Sequence, residues 1–384
     1  MEKVLNSKCC HAFNPDFVDS PVLPQLDDPK NVFTFHKTLS NYKSTPLITL
    51  KSLAHHLNVG EIWIKDESKR FGLNAFKGLG ASYAIHRFLK QYPGETTFCS
   101  ATDGNHGKAL AWASKLFNCK ARIFVPHYTS EGRIRQIEKY GAIVERVRGD
   151  YDSSILAAIE ASEKEGWSLI QDTSWKGYTE IPKWIMSGYL TSLLEIESTL
   201  FKNKESKVDF VFLQAGVGSW AASVVWYLRQ KYGEHVPKII IVEPRASDGL
   251  LQSIRVNNLV KSKGTGETIM AGLNCGTPSV LAWEILKNSA HYFMTISDSY
   301  SKLAMRQLFY PHVNDPSIIS GESGAAGLAA ILSIFNDREL VPLRNSLGIN
   351  QNSRILLFNT EGDTDRSSFE DITYSEINSG LISA

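Results

Sequence analysis

The sequence predicts an α/β protein built from two open parallel sheets. Two observations carry this: short apolar, strand-like runs alternate with helical patterns of roughly 10 to 15 residues, and the same alternation resumes after a charged interruption near residues 201–207. Parallel strands joined in this way need right-handed crossovers and helices on both faces. The first cycle opens at Phe98–Ala101, which meets a glycine turn. Gly107–Phe117 then carries helical periodicity and Ala121–Val125 is strand-like again. Ser130 is placed to cap a helix running to Tyr140 and closed by Gly141, followed by a β-branched strand candidate, Ile143–Val147. Tyr151–Glu165 is helical, Gly166 can end it, and Ser168–Gln171 is the next strand candidate.

These units assign residues 96–190 to one small α/β domain. Phe201–Lys207 is charged, lacks apolar periodicity and reads as a surface connection before a second unit that opens at Val208–Leu213. Further strands are expected at Ile239–Val242, His291–Ile296 and Ile355–Phe358. Helical patterns lie between and beside them at Ala246–Val256, Val280–Lys287, Ser299–Leu308 and Ala325–Phe335. Residues 1–95 and 191–384 are therefore assigned together to a larger domain.

At 384 residues with 43% hydrophobic and 21% charged side chains, the chain can bury a substantial core without metal staples. Lys and Arg number 41 against 40 Asp and Glu, a net +1 that offers no global field for nucleic acid or anionic lipid, so a small molecule is the expected partner. Met1–Gln25 has scattered charges, three prolines and no apolar h-region, and reads as neither secretory signal nor membrane anchor. The most apolar later stretch, Val211–Leu228, is interrupted by Gln214, Gly216, Gly218 and Ser219, unlike a spanning helix. Five cysteines without C-x-x-C spacing suggest reduced thiols in a cytoplasm and no metal centre.

Open parallel sheets bind ligands beyond the carboxyl ends of their strands, so glycine turns that follow strands are the places to search. Three stand out. Thr102-Asp103-Gly104-Asn105-His106-Gly107 opens a helix and reads either as an anion site or as an Asp- or Asn-capped turn. Gly216-Val217-Gly218-Ser219, also at a helix start, suits a phosphate dianion. Asn359-Thr360-Glu361-Gly362-Asp363 follows the last strand and by itself is a polar turn. A lysine, Lys77, sits in the apolar, glycine-rich run from Phe71 to Gly80. Such a lysine either snorkels to the surface or, desolvated, has a lowered pKa that prepares it for Schiff-base chemistry.

The order of these features resembles the fold type II pyridoxal 5′-phosphate enzymes, which include threonine dehydratases and the tryptophan synthase β-subunit. The run KDESKR into FGLNAFK, then ATDGNHG, QDTSWKGYTEIPKWIMSGY, QAGVGS, IMAGLNCG, NDPSIISGESGA and TEGDTD, from residue 60 to about residue 366, resembles the diaminopropionate ammonia-lyases. The resemblance implies pyridoxal 5′-phosphate as cofactor, carried by the larger domain, and a homodimer acting on a small amino acid. It assigns Lys77 to the Schiff base with the cofactor, Gly216, Val217, Gly218 and Ser219 to its phosphate, and Asn105 to the phenolic oxygen of its ring. Thr360 falls where this group places a hydroxyl against the ring nitrogen, which favours expulsion of a β-leaving group. The N–H groups from Thr102 through Gly104 to His106 would take the substrate carboxylate. Asp103 stands where related dehydratases have Ser or Ala, and is either a turn cap or a second base on the face opposite Lys77. Its carboxylate could also attract the extra ammonium of a diamino acid.

Asp172, after another strand, is either a strand-end cap or a contact to a substrate amine, and Glu322 is expected near the cofactor. His106 reads as structural within its turn as well as part of the carboxylate site. The segment between Lys77 and Thr102 is shorter than the family pattern, which bears on the domain interface or the mouth of the pocket. The expected activity is conversion of 2,3-diaminopropionate to pyruvate and ammonia. The alternatives are a serine or threonine dehydratase of the same fold, against which Asp103 and FGLNAFK argue, and a non-catalytic amino-acid or nucleotide sensor, against which Lys77 argues.

Overall fold

A computed structural model describes residues 9–102, 104–202 and 207–374. Its strands, in chain order, are β1 (His11–Phe13), β2 (Leu47–Thr49), β3 (Glu61–Asp66), β4 (Thr97–Ala101), β5 (Lys120–Pro126), β6 (Ile143–Val147), β7 (Ser168–Leu169), β8 (Phe210–Gln214), β9 (Lys238–Pro244), β10 (Tyr292–Ile296) and β11 (Arg354–Asn359). One sheet has the order β1-β10-β9-β8-β11-β3-β2 and the other β6-β5-β4-β7. The four-stranded sheet is parallel throughout. In the larger sheet the inner strands β10, β9, β8, β11 and β3 are parallel, and the edges β1 and β2 run antiparallel to their neighbours.

Strand β8 shows why its run is apolar without alternation. Val211 and Leu213 enter one core with Val224 and Val225 of the helix Ser219–Tyr232. Phe210 and Phe212 enter the other, with Leu328 and Ile331 of the helix Ala326–Asn336. A strand covered on both faces buries every side chain.

Most expected elements are present with shifted ends, and the shifts have local causes. Ser130 caps its helix by accepting from the Arg133 N–H at 3.4 Å, and Gly166 ends the helix Tyr151–Glu165 in the left-handed region at φ 71°. The strand expected at Ser168–Gln171 stops at Leu169 because the Gln171 side chain takes over the pairing. Its Oε1 accepts from the Ala101 N–H at 2.9 Å, and its Nε2 donates to the Ala101 carbonyl at 3.1 Å. The helix expected from Ala246 begins at Gly249, where the buried Glu243 carboxylate accepts the N–H groups of Leu250 and Leu251 at 2.8 Å. Phe201, expected in a surface connection, is fully buried against Tyr227 and Tyr232. Residues 203–206 of that connection lie outside the described residues.

A buried charge cluster holds the segment that leads to Lys77. At the end of β3, Lys65 Nζ donates to Glu195 Oε2 at 2.5 Å. Arg70 donates to both oxygens of Glu195 at 2.7 Å and through Nε to Glu67 at 2.8 Å. All four side chains are inaccessible to solvent. Burial works to raise the Glu195 pKa, but Arg70 and Lys65 outweigh it and bring it down from 4.5 to about 2. Beyond Arg70 the chain reverses through Phe71, Gly72 and Asn74, all at positive φ, with the Phe71 ring stacked on Trp112 at 4.7 Å. The helix Lys77–Gln91 follows. It crosses the helix Glu180–Tyr189 so closely that a Cβ on Gly188 would lie 2.5 Å from the Leu79 carbonyl oxygen.

Glu195→Ala leaves two buried cations short of a partner and is expected to lower unfolding free energy by about 3–5 kcal/mol, read by urea denaturation. Because the folded-state pKa of Glu195 lies below its ordinary value, the stabilisation is complete above pH 4.5 and is lost as pH falls towards 2. The difference between wild type and variant should shrink in that window. An unchanged denaturation midpoint at neutral pH would show that the cluster contributes nothing net.

Candidate active site

A cleft opens where the carboxyl ends of both sheets face one another, and its walls are the turns that follow β3, β4, β7, β8 and β11. Lys77, at the start of its helix, reaches the cleft and forms an ion pair with Asp172, which follows β7. Gln171 positions Asp172, since its amide is fixed on Ala101 of β4. The lowered amine pKa expected from desolvation is not the outcome here. Burial does work to lower it, but Asp172, with a smaller contribution from Tyr189, carries the net shift upward and keeps the amine protonated. The Asp172 carboxyl, which burial alone would raise, is brought down to about 2 by His106 and Lys77.

The helix Asn105–Leu116 points its N-terminus at the cleft. Thr102 Oγ1 accepts from the N–H groups of Gly104 at 2.9 Å and Gly107 at 3.2 Å. Among the described residues no backbone acceptor meets the N–H groups of Asn105 or His106. His106 Nε2 lies 2.8 Å from the Ile170 carbonyl, so it carries the proton; Nδ1 is bare and 3.8 Å from Asp172. Burial lowers the His106 pKa against the opposing pull of Asp172, and the ring is structural, although it also lines the cleft. Asp103 lies outside the described residues.

On the opposite wall, Gly216, Val217, Gly218 and Ser219 form the turn before the helix Ser219–Tyr232, with Gly218 at φ 93°. The Ser219 hydroxyl donates to the Asp172 carbonyl at 2.8 Å, so this turn offers an anion its backbone N–H groups and the helix start. Thr360 lies in the floor. Gln214 Nε2 donates to its hydroxyl oxygen at 3.1 Å and to the Phe358 carbonyl at 2.8 Å. With an acceptor position filled, the Thr360 O–H is left to donate into the cleft.

A lysine amine, a phosphate-sized turn at a helix start and an outward hydroxyl suit the aldehyde, the phosphate and the ring nitrogen of pyridoxal phosphate. Residues 38–347 match the family described as pyridoxal-phosphate dependent enzyme. The diaminopropionate ammonia-lyase of Salmonella typhimurium is 38% identical over 368 residues, 90% of this chain and 91% of that protein. The Escherichia coli K12 enzyme is 39% identical over 357 residues, 88% and 89%. This chain belongs to the diaminopropionate ammonia-lyase family. Its fold matches the crystal structure of the Escherichia coli enzyme in complex with an aminoacrylate-PLP azomethine reaction intermediate at a TM-score of 0.90, with 37% identity over 96% of this chain and 97% of that one.

Within this lyase fold the structure brings Lys77, Thr102, Gly104, Asn105, His106, Asp172, the turn 216–219 and Thr360 around one cleft, as expected. Glu322 departs from expectation. It is buried beside the cleft, where Ser368 donates to its carboxylate, and Ser323 lines the wall in its place. Residues not anticipated are Gln214, Lys108 and Glu361. Lys108 directly follows the glycine turn at 102–107, and Glu361 directly follows Thr360; adjacency to a motif was the available signal. Among the described residues there is no His, Cys, Asp and Glu grouping able to hold a metal ion, and no helix long and apolar enough to cross a membrane.

Asp172→Asn should strip Lys77 of its counter-charge and leave burial to dominate. The rate at which apoprotein takes pyridoxal phosphate onto Lys77 depends on the neutral amine, so its pH midpoint should move to lower pH by about one unit or more. A midpoint that does not move would show that the ion pair is not what keeps the amine protonated.

Proposed function

We propose that this protein cleaves 2,3-diaminopropionate to pyruvate and two ammonia molecules with consumption of one water. The observation that carries the reading is the meeting of Lys77 and Asp172 in one cleft with the 216–219 turn and Thr360, in a chain alike to diaminopropionate ammonia-lyases over about nine-tenths of its length. Bound pyridoxal phosphate supplies the electron sink that lets a substrate lose its α-proton and then its β-amino group.

The chain's own residues do the rest. The N–H groups of Asn105 and His106, with the Thr102-capped turn, hold the substrate carboxylate, and the 216–219 turn holds the phosphate. Asn105 donates to the phenolic oxygen and Thr360 to the ring nitrogen. Lys77, once its amine is released, is the base at Cα, with Asp172 as the counter-charge to the ammonium that results; the same carboxylate is within reach of a substrate amine. Asp103 is the second base, acting from the opposite face. A sensor would have no use for a lysine amine paired in this way. Residues 96–190 form the smaller of two domains. The likeness to the diaminopropionate ammonia-lyases supports a homodimer. A cytoplasmic location accords with five cysteines that form no disulfide among the described residues.

Lys77→Ala should abolish both the reducible lysine adduct and pyruvate release. Asp103→Asn should depress D-diaminopropionate turnover by about 10²–10⁴-fold, the usual worth of a positioned general base, with far less loss for the L-isomer. Pyruvate release measured with both isomers decides it. Equal losses would make Asp103 a binding or turn residue, and no loss for either isomer a simple cap.

A further inference from the structure

Glu361 has a place in the cleft that the roles above leave unexplained. Its carboxylate is almost wholly buried and each oxygen has its own donor. Oε1 accepts from the Ser323 N–H at 3.0 Å, and Oε2 accepts from Asn105 Nδ2. The backbone holds it from both sides: Gly321 N–H donates to its carbonyl at 3.0 Å, and it bridges to Ala75, two residues before Lys77. Gly321 packs against the side chain so closely that a Cβ there would come within 3.1 Å of both its Cγ and Oε1.

We infer that Glu361 is the positioning residue that decides which end of the Asn105 amide faces the cofactor. An amide has a donor end and an acceptor end, and a carboxylate can only accept. Pairing with Oε2 therefore commits the Asn105 nitrogen. One of its hydrogens is used on Glu361, and the second is left to donate to the ring's phenolic oxygen. A flipped amide would set its oxygen against the Glu361 carboxylate on one side and against the ring oxygen on the other. Lys108, one turn along the helix from Asn105, supplies a cation in the same wall. Burial brings its pKa down to about 8, against the opposing pull of Glu361 and Asp363. The inference rests on the proposed contact between Asn105 and the ring.

The substitution Glu361→Gln tests it, because glutamine has one oxygen to meet two donors, Ser323 N–H and Asn105 Nδ2. Wild type, Glu361→Gln, Asn105→Ala and the double variant are compared as holoenzymes by the visible band of the lysine-bound cofactor and by the cofactor dissociation constant. Each single change should displace the band and weaken retention about tenfold, the worth of one hydrogen bond to a charged group. In the double variant the loss should equal that of Asn105→Ala alone. Glu361→Asp, which keeps both oxygens but withdraws them by one methylene, should shift the band the same way by less, and it serves if the glutamine variant does not fold. If Asn105→Ala changes the band and Glu361→Gln does not, or if the two losses multiply in the double variant, Glu361 does not act through Asn105. If Asn105→Ala itself leaves band and retention unchanged, the ring contact of Asn105 is wrong and the inference falls with it.

Discussion

Glu195 neutralises Lys65 and Arg70 together, and the position of Lys77 depends on that. Four charges, two of each sign, are withdrawn from water at the end of β3, and each is acceptable only while the others are present. From this fixed point the chain has seven residues in which to reverse and start a helix at Lys77. It does so through positive φ at Phe71 and Asn74, neither of them glycine. Phe71 is held in that region by its stack on Trp112, a residue of the helix that presents Asn105. The cluster and the stack thus reference the lysine to both sheets at once.

The cleft is held by polar links that cross between the sheets, and each joins turns at the carboxyl ends of strands. Asp172, after β7, takes the Lys77 ammonium with its carboxylate and the Ser219 hydroxyl with its carbonyl. Asn105, after β4, meets Glu361, after β11, and Arg133 lies 3.9 Å from Asp365 at the rim. A parallel sheet directs its helix starts and exposed turns to one end. Facing two such sheets end to end gathers five turns from distant parts of the chain into one wall.

Much of this was legible in the sequence where local chemistry decides the outcome. Ile143–Val147 and Tyr151–Glu165 have the expected bounds because β-branched density, a cap and a left-handed glycine are all local signals. The glycine turns and Lys77 fall around the cleft because open parallel sheets leave few other places for them. What was hidden depended on distant partners. KDESKR reads as solvated charge until Glu195, 125 residues beyond Arg70, is known to lie against it. The upward shift of the Lys77 amine reverses the effect of desolvation because Asp172 is 95 residues away in sequence and in contact in space. β1 and β2 are three residues long, too short for alternation to register. Glu322 and Ser323 are neighbours, and only the geometry of the turn decides which one faces the cleft.

Gln214 shows how a residue that does not touch the reacting atoms can restrict the chemistry of the proposed site. Its Nε2 donates to the Thr360 oxygen and to the Phe358 carbonyl, at 3.1 Å and 2.8 Å, which holds the amide by two acceptors on β11 and the turn after it. A hydroxyl that already accepts one bond from a fixed donor turns its own hydrogen elsewhere, and in this floor elsewhere is the cleft. The group presented to the ring nitrogen is then a neutral donor. Unlike a carboxylate, it does not stabilise a proton on that nitrogen, so the ring draws less charge and electrons from Cα are better spent expelling a leaving group at the β-carbon. The preference for elimination in this reading begins with a buried glutamine at the end of β8, two residues before the turn assigned to the phosphate.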